Sequence, residues 1–248
     1  MDFSLSPPVL AYCAVVLLAS YALRGSTGFG GFAAMPLMAL AVPMKLLVPM
    51  WTLLVIASST TLVARDRRHV ALRDIAQVIP ACVVGVAIGL YFFTTLDAQL
   101  LARSFGVLVL AYASYTLWNL RRSATPSARG SQAVAQGAGM LAGAMGTVFG
   151  TMSSIFFAIY LDARRITKAQ FRATISALML ILALVRGAGY LAVGVFEREA
   201  LVLFGLALPF MLVGMYFGDR VHARIDEVTF KRLVCGILLV SGAALLFR

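Results

Sequence analysis

Arg24-Gly25-Ser26-Thr27-Gly28-Phe29-Gly30-Gly31-Phe32 interrupts an apolar run that extends from Val9 to Leu23 on one side and from Ala33 to Val42 on the other. Each glycine loses more backbone entropy in a helix than alanine would, so this cluster weakens a helix where it stands. In lipid, a broken backbone is tolerated only where it is buried in protein or lines a cavity, because no other partner satisfies its freed N–H and C=O groups. A break carrying an arginine and two hydroxyls inside a membrane segment is therefore a candidate ligand site. A second version stands at Gly146-Thr147-Val148-Phe149-Gly150-Thr151-Met152-Ser153-Ser154. The two breaks are expected to meet near the middle of the bilayer and hold a small anion.

Composition supports a membrane setting. Of 248 residues, 61% are hydrophobic and 12% charged, with a mean hydropathy of +0.93. Such a balance belongs to polytopic membrane proteins. The net charge of +11 could indicate nucleic acid, but basic cytoplasmic loops account for it better, and no nucleic-acid partner is expected. Met1-Asp2-Phe3-Ser4 puts no Lys or Arg ahead of the first apolar run, so that segment is read as retained rather than cleaved. Cys13, Cys82 and Cys235 lie far apart in apolar segments without metal-ligand spacing, and are read as inert small residues.

Residues 7–41 form one apolar block with a broken middle, and apolar spans follow near 46–64, 75–93 and 99–119. A polar stretch, Arg121 to Gly130, then divides the chain. The second part repeats the layout, with a broken block at 132–161 and spans near 173–195, 200–218 and 230–247. Pro80, Gly85, Gly89, Asp97 and Arg103 recur as Pro209, Gly214, Gly218, Asp226 and Arg232, each 129 positions later. Gly30 and Lys45 match Gly150 and Arg165 at an offset of 120. Five matches in register point to an internal repeat: 1–120, a cytoplasmic linker 121–130, and 131–248.

Positive charge sets the orientation. Loops 65–73, 121–129, 162–172 and 220–232 hold 15 of the 21 Lys and Arg, which places all four on the cytoplasmic side. Block 132–161 must then leave and return on one side, as two half-length helices meeting at the glycine break. Applied to both halves, this predicts an all-α polytopic membrane protein of two inverted repeats, each a re-entrant helical hairpin plus three transmembrane helices. A rival arrangement has eight simple spans and puts loops 162–172 and 220–232 outside.

Inverted repeats with discontinuous helices are typical of secondary transporters, whose substrate sits where half-helix N-termini point. Helix N-termini attract anions, and glycines let an oxyanion approach the backbone. Gly28, Gly30 and Gly31 are expected to open the first return helix, and Gly146 and Gly150 the second. Ser26, Thr27, Thr147, Thr151, Ser153 and Ser154 add hydroxyls. The alternative is that these glycines only allow close helix packing. Arg24 stands at the first break, and Arg186 lies deep in an apolar run with no acid in its own segment. A charge at that depth costs a few kcal/mol and faces a partner or cavity; for Arg24, snorkelling to the interface is the alternative. Arginine's planar fork suits sulfite, sulfonate or carboxylate oxygens. All ten acids fall in loops or at span ends, which leaves no buried carboxylate for proton or sodium coupling. His69 and His222 lie in basic loops. No metal set, acid pair or phosphate loop appears, so neither an enzyme nor a cofactor is expected.

At Gly28-Phe29-Gly30-Gly31 followed by Pro36-Leu37, and again at Gly85 and Gly89 before a short turn, the chain resembles the TauE/SafE family of membrane permeases. The two-part layout, with the break at Gly146 and Gly150, is similar along essentially the whole length. Thr151, Met152, Ser153 and Ser154 depart from it, standing where that family commonly has glycines. The resemblance implies an inner-membrane permease for a small anion such as sulfite or an organosulfonate, exported by alternating access. The alternatives are uptake of an organic acid by the same machinery and a non-transporting scaffold or assembly factor. The expected partners are the anion and the bilayer; coupling ion and oligomeric state are open, a homodimer being one arrangement.

Overall fold

The computed structural model describes residues 7–27, 34–122, 132–164, 166–220 and 227–247, and every regular element among them is helical. The order is α1 (Pro7–Thr27), α2 (Ala34–Ala39), α3 (Met44–Asp66), α4 (Leu72–Thr95), α5 (Ala98–Arg122), α6 (Gln132–Phe149), α7 (Ser153–Ala163), α8 (Lys168–Ala192), α9 (Arg198–Arg220) and α10 (Glu227–Leu246), with one 3-10 turn at Arg67–His69. Six of these are long and apolar enough to cross a bilayer: Pro7–Arg24, Met44–His69, Leu72–Thr95, Ala98–Trp118, Ala169–Ala192 and Arg198–Gly218. The chain is an all-α polytopic membrane protein.

The helices gather into two compact units. One comprises 1–44, 102–122 and 205–248; the other comprises 45–101 and 123–204. Each unit draws segments from both halves of the sequence repeat.

In the second unit, α4 and α6 run parallel and in close contact. A Cβ on Gly139 would lie 2.6 Å from the Val78 carbonyl, and one on Gly89 would lie 2.7 Å from both the Ala144 carbonyl and the Thr147 Cβ. Only glycine lets backbones approach so closely in lipid, where packing rather than hydrophobicity holds helices together. The chain breaks after Phe149 and α7 descends again. The Ser153 hydroxyl donates to the Ala142 carbonyl at 2.8 Å, and at the far end of α7 the Arg164 Nε donates to Asp74 at 2.7 Å. Asp74 lies in the first turn of α4, so α7 ends where α4 begins. That end also carries an Arg172–Asp66 ion pair at 2.8 Å and a bond from the Ala71 amide to the Thr174 hydroxyl at 3.0 Å. Loops 65–73 and 162–172 therefore share one end of this unit, which the arrangement of eight simple spans forbids.

Directions within each unit follow from such contacts. Arg172 pairs with Asp66, while a Cβ on Gly187 would touch Ile56 and Thr52 at 3.5 and 3.8 Å, so α3 and α8 run antiparallel. In the first unit Gly106 faces Gly242 and Leu245, and Gly242 faces Leu110, so α5 and α10 also run antiparallel. Both pairs join helices that occupy matching places in the two halves of the sequence.

The first unit repeats the glycine contact. A Cβ on Gly214 would lie 2.8 Å from the Leu18 carbonyl, and one on Gly218 would collide with the Ala22 carbonyl. Leu18 and Ala22 stand 122 positions before Met140 and Ala144, which Gly85 and Gly89 face. The Tyr12 hydroxyl donates to the Leu37 carbonyl at 3.0 Å, so α2 lies back beside the early turns of α1.

Helix lengths correct one expectation. The first arms, α1 and α6, have 21 and 18 residues, and the return arms 6 and 11. At 1.5 Å per residue α1 rises about 31 Å, a full hydrocarbon thickness. The broken elements are thus a long arm and a short one, not two half-length helices.

Candidate functional site

The second break is built by two left-handed residues. Gly150 has φ +72° and Met152 φ +70°, the latter alone among described non-glycine residues in being positive. Met152 caps α7 without a side-chain hydrogen bond, so the first N–H groups of α7 face outward, as at any helix start. Thr151 and Ser153 are buried beside them, and Ser154 is half-buried.

The C-terminal end of α6 has carbonyls that the break leaves over. The Gly150 amide donates to the Gly146 carbonyl at 2.9 Å. Arg186 donates through Nη1 to the same carbonyl, and the Tyr190 hydroxyl donates to the Thr147 carbonyl. Arg186 and Tyr190 stand one turn apart on α8, so one helix face supplies both donors. The negative end of the α6 dipole suits a cation there. Arg186 is 2% exposed, and its buried Nε–H has no hydrogen-bond partner among the described residues. Phe93 packs on Tyr190 with ring centroids 5.2 Å apart. Lys45 does for α4 what Arg186 does for α6: its Nζ donates to the Phe93 carbonyl at 2.6 Å and lies 5.1 Å from the Phe93 ring.

Gly146, Ser153 and Arg186 come together. A Cβ on Gly146 would collide with the Ser153 hydroxyl oxygen, and the Gly146 carbonyl takes the guanidinium. Gly146 belongs to the last turn of α6 and does not open the return helix, as its glycine identity had implied; Ser153 does. The Thr147 hydroxyl donates to the Gly143 carbonyl at 2.8 Å, so its proton, like that of Ser153, is engaged within the hairpin. Arg24, in the last turn of α1, is 5% exposed. Ser26 and Thr27 close α1. Gly28, Gly30 and Gly31 lie outside the described residues.

Two features escaped the sequence reading. Tyr190 was legible only as an aromatic one turn after Arg186. Asp74 was read with the loop acids, yet it is buried at 6% exposure, paired with Arg164, and 3.3 Å from the Tyr160 hydroxyl. A buried carboxylate therefore exists, at the basic-loop end. Among the described residues no group of His, Cys, Asp and Glu is placed to hold a metal.

The sequence profile of the sulfite exporter TauE/SafE family matches residues 12–245. The chain belongs to the TauE/SafE family. A relative, the probable inner membrane transporter protein TsaS of Comamonas testosteroni, is 27% identical over 179 residues, covering 72% of this chain and 73% of its own. No solved structure matches. As a TauE/SafE member with six span-length apolar helices among the described residues, the chain is a multi-pass transporter of the inner membrane.

Proposed function

We propose that this transporter exports a small sulfur-containing anion, such as sulfite or an organosulfonate, by alternating access between inverted repeats. The family's description supports the substrate class. Arg186 and the first turn of α7 form the anion-facing element of the second unit. One observation carries this: a guanidinium 2% exposed, anchored by Nη1 on a helix end, whose Nε–H has no acceptor among the described residues. Gly150 makes the bend at which Thr151, Ser153 and Ser154 supply backbone N–H groups. Arg24, Ser26, Thr27, Gly28, Gly30 and Gly31, at the first break, are assigned the same role in the first half of the chain.

The test is flux of sulfite, sulfoacetate and acetate in proteoliposomes, wild type against Arg186→Gln. Loss of a charge-assisted hydrogen bond worth about 1.5–3 kcal/mol lowers apparent affinity roughly 10- to 150-fold. Wild-type sulfite flux in Arg186→Gln refutes the site. Acetate flux exceeding that of both sulfur anions moves the substrate class to organic acids. No flux of any anion, with the protein correctly inserted, favours a scaffold.

A further inference from the structure

α7 is a short arm with a hinge at one end and a buried ion pair at the other. Its start is set by the two left-handed residues, Gly150 and Met152. Two such residues so close together make a sharp bend between α6 and α7. Its finish is held by a single carboxylate. Asp74 Oδ1 accepts from Arg164 Nε at 2.7 Å and lies 3.3 Å from the Tyr160 hydroxyl, which is also 3.2 Å from Gln77 Oε1. Tyr160 and Arg164 stand one turn apart, at the last turn and C-cap of α7, so α4 grips the arm at two points through Asp74.

The burial of the pair is lopsided. The Asp74 side chain is 9% exposed and that of Arg164 30% exposed. An arginine already reached by water leaves such a pair with less rearrangement than one sealed in the core, while the carboxylate it abandons stays behind at the protein end rather than in lipid. The neighbouring helix is fixed independently. α8 begins with a capping box between Thr167 and Gln170 and is tied by the Arg172–Asp66 pair, so the start of α8 keeps its own ties when Arg164 lets go of the far end of α7.

We propose that the Asp74–Arg164 pair, with Tyr160, is a latch that holds α7 closed, and that its release lets the arm swing about Gly150–Met152 and opens the Arg186 site toward the basic-loop end. The gating role rests on the anion site proposed above; the latch itself does not.

Two measurements test it on the full-length protein. The first is hydrogen–deuterium exchange of residues 153–163 in detergent. Asp74→Asn and Arg164→Gln each raise exchange in α7 at least tenfold over wild type with 168–192 unchanged, and the swapped pair Asp74→Arg with Arg164→Asp restores protection. Equal α7 exchange in wild type and both single variants overturns the latch. The second uses Asp74→Cys with Arg164→Cys in a background with Cys13, Cys82 and Cys235 replaced by alanine. A bis-maleimide with a disulfide spacer stops sulfite flux in proteoliposomes, and reduction of the spacer restores it. Undiminished flux at full cross-linking overturns the gating role. Normal sulfite flux in Arg186→Gln removes the anion site while the exchange data still decide the latch.

Discussion

Replacing Gly89 by alanine tests the packing that carries the site. A Cβ there would stand 2.7 Å from the Ala144 carbonyl and from the Thr147 Cβ, whereas ordinary contact starts at 3.4 Å, so α4 and α6 must part by about 0.7 Å. A gap of 0.5–1 Å forfeits a quarter to a half of each dispersion contact along the seam, and overpacking of this kind costs typically 1–3 kcal/mol. We expect about 2 kcal/mol for Gly89→Ala. Gly214→Ala, whose Cβ would stand 2.8 Å from the Leu18 carbonyl, should cost a similar amount, because the repeat places it in the same kind of seam. Gly137 and Gly205 have nothing within 4 Å of an added Cβ, and alanine at either raises stability by up to about 1 kcal/mol through helix propensity. Thermal unfolding of the four purified variants in one detergent gives the order. If Gly89→Ala unfolds together with Gly137→Ala, the close approach of α4 and α6 is wrong.

Cysteines at His69 and Ala169 in a cysteine-free background should react with an impermeant thiol reagent from the same side of the membrane; opposite-side labelling would restore the eight-span arrangement. Gly150→Ala puts a Cβ on a φ of +72° and should cost about 1–2 kcal/mol, read as a lowered melting temperature. Thr167→Ala removes the cap that accepts from the Gln170 amide and should cost about 1 kcal/mol, with faster exchange confined to the first turn of α8. Tyr190→Phe strips the donor from the Thr147 carbonyl and should cost about 1–3 kcal/mol; a melt equal to wild type would mean water replaces it.

The sequence carried the seams well, because a glycine pair four apart has a direct physical reason to recur: Gly85 and Gly89 reappear as Gly214 and Gly218 against carbonyls of matched long arms. The fold-back was legible too, through the count of basic residues in the loops. What stayed hidden depended on backbone partners or on distant chain. A search for a partner of Arg186 looks for an acid, but its partner is a peptide carbonyl forty residues away, which no residue type announces. Asp74 reads as a loop acid until α7 returns to cover it, ninety residues later in the chain. Gly146 was misassigned to the return helix because glycine marks close approach as readily as a break: here it makes room for the Ser153 hydroxyl inside an unbroken turn.

The choice of a helix end over a carboxylate as partner for Arg186 bears on what the site can bind. A buried Arg–Asp pair is neutral and hydrogen-bonded on both sides, and an incoming anion would have to displace the aspartate. A helix C-terminus offers only about half an elementary charge, spread over carbonyls that also serve the Gly150 amide and Tyr190. The guanidinium is thus anchored through Nη1 and keeps roughly half its charge uncompensated in a setting where water cannot screen it. Insertion scales put an arginine at depth at a few kcal/mol, and the helix end offsets part of that, so the fold tolerates the charge without quenching it. Under the proposed function, a small anion would complete the compensation on arrival and restore the deficit on leaving. That asymmetry suits a carrier, which must release what it binds.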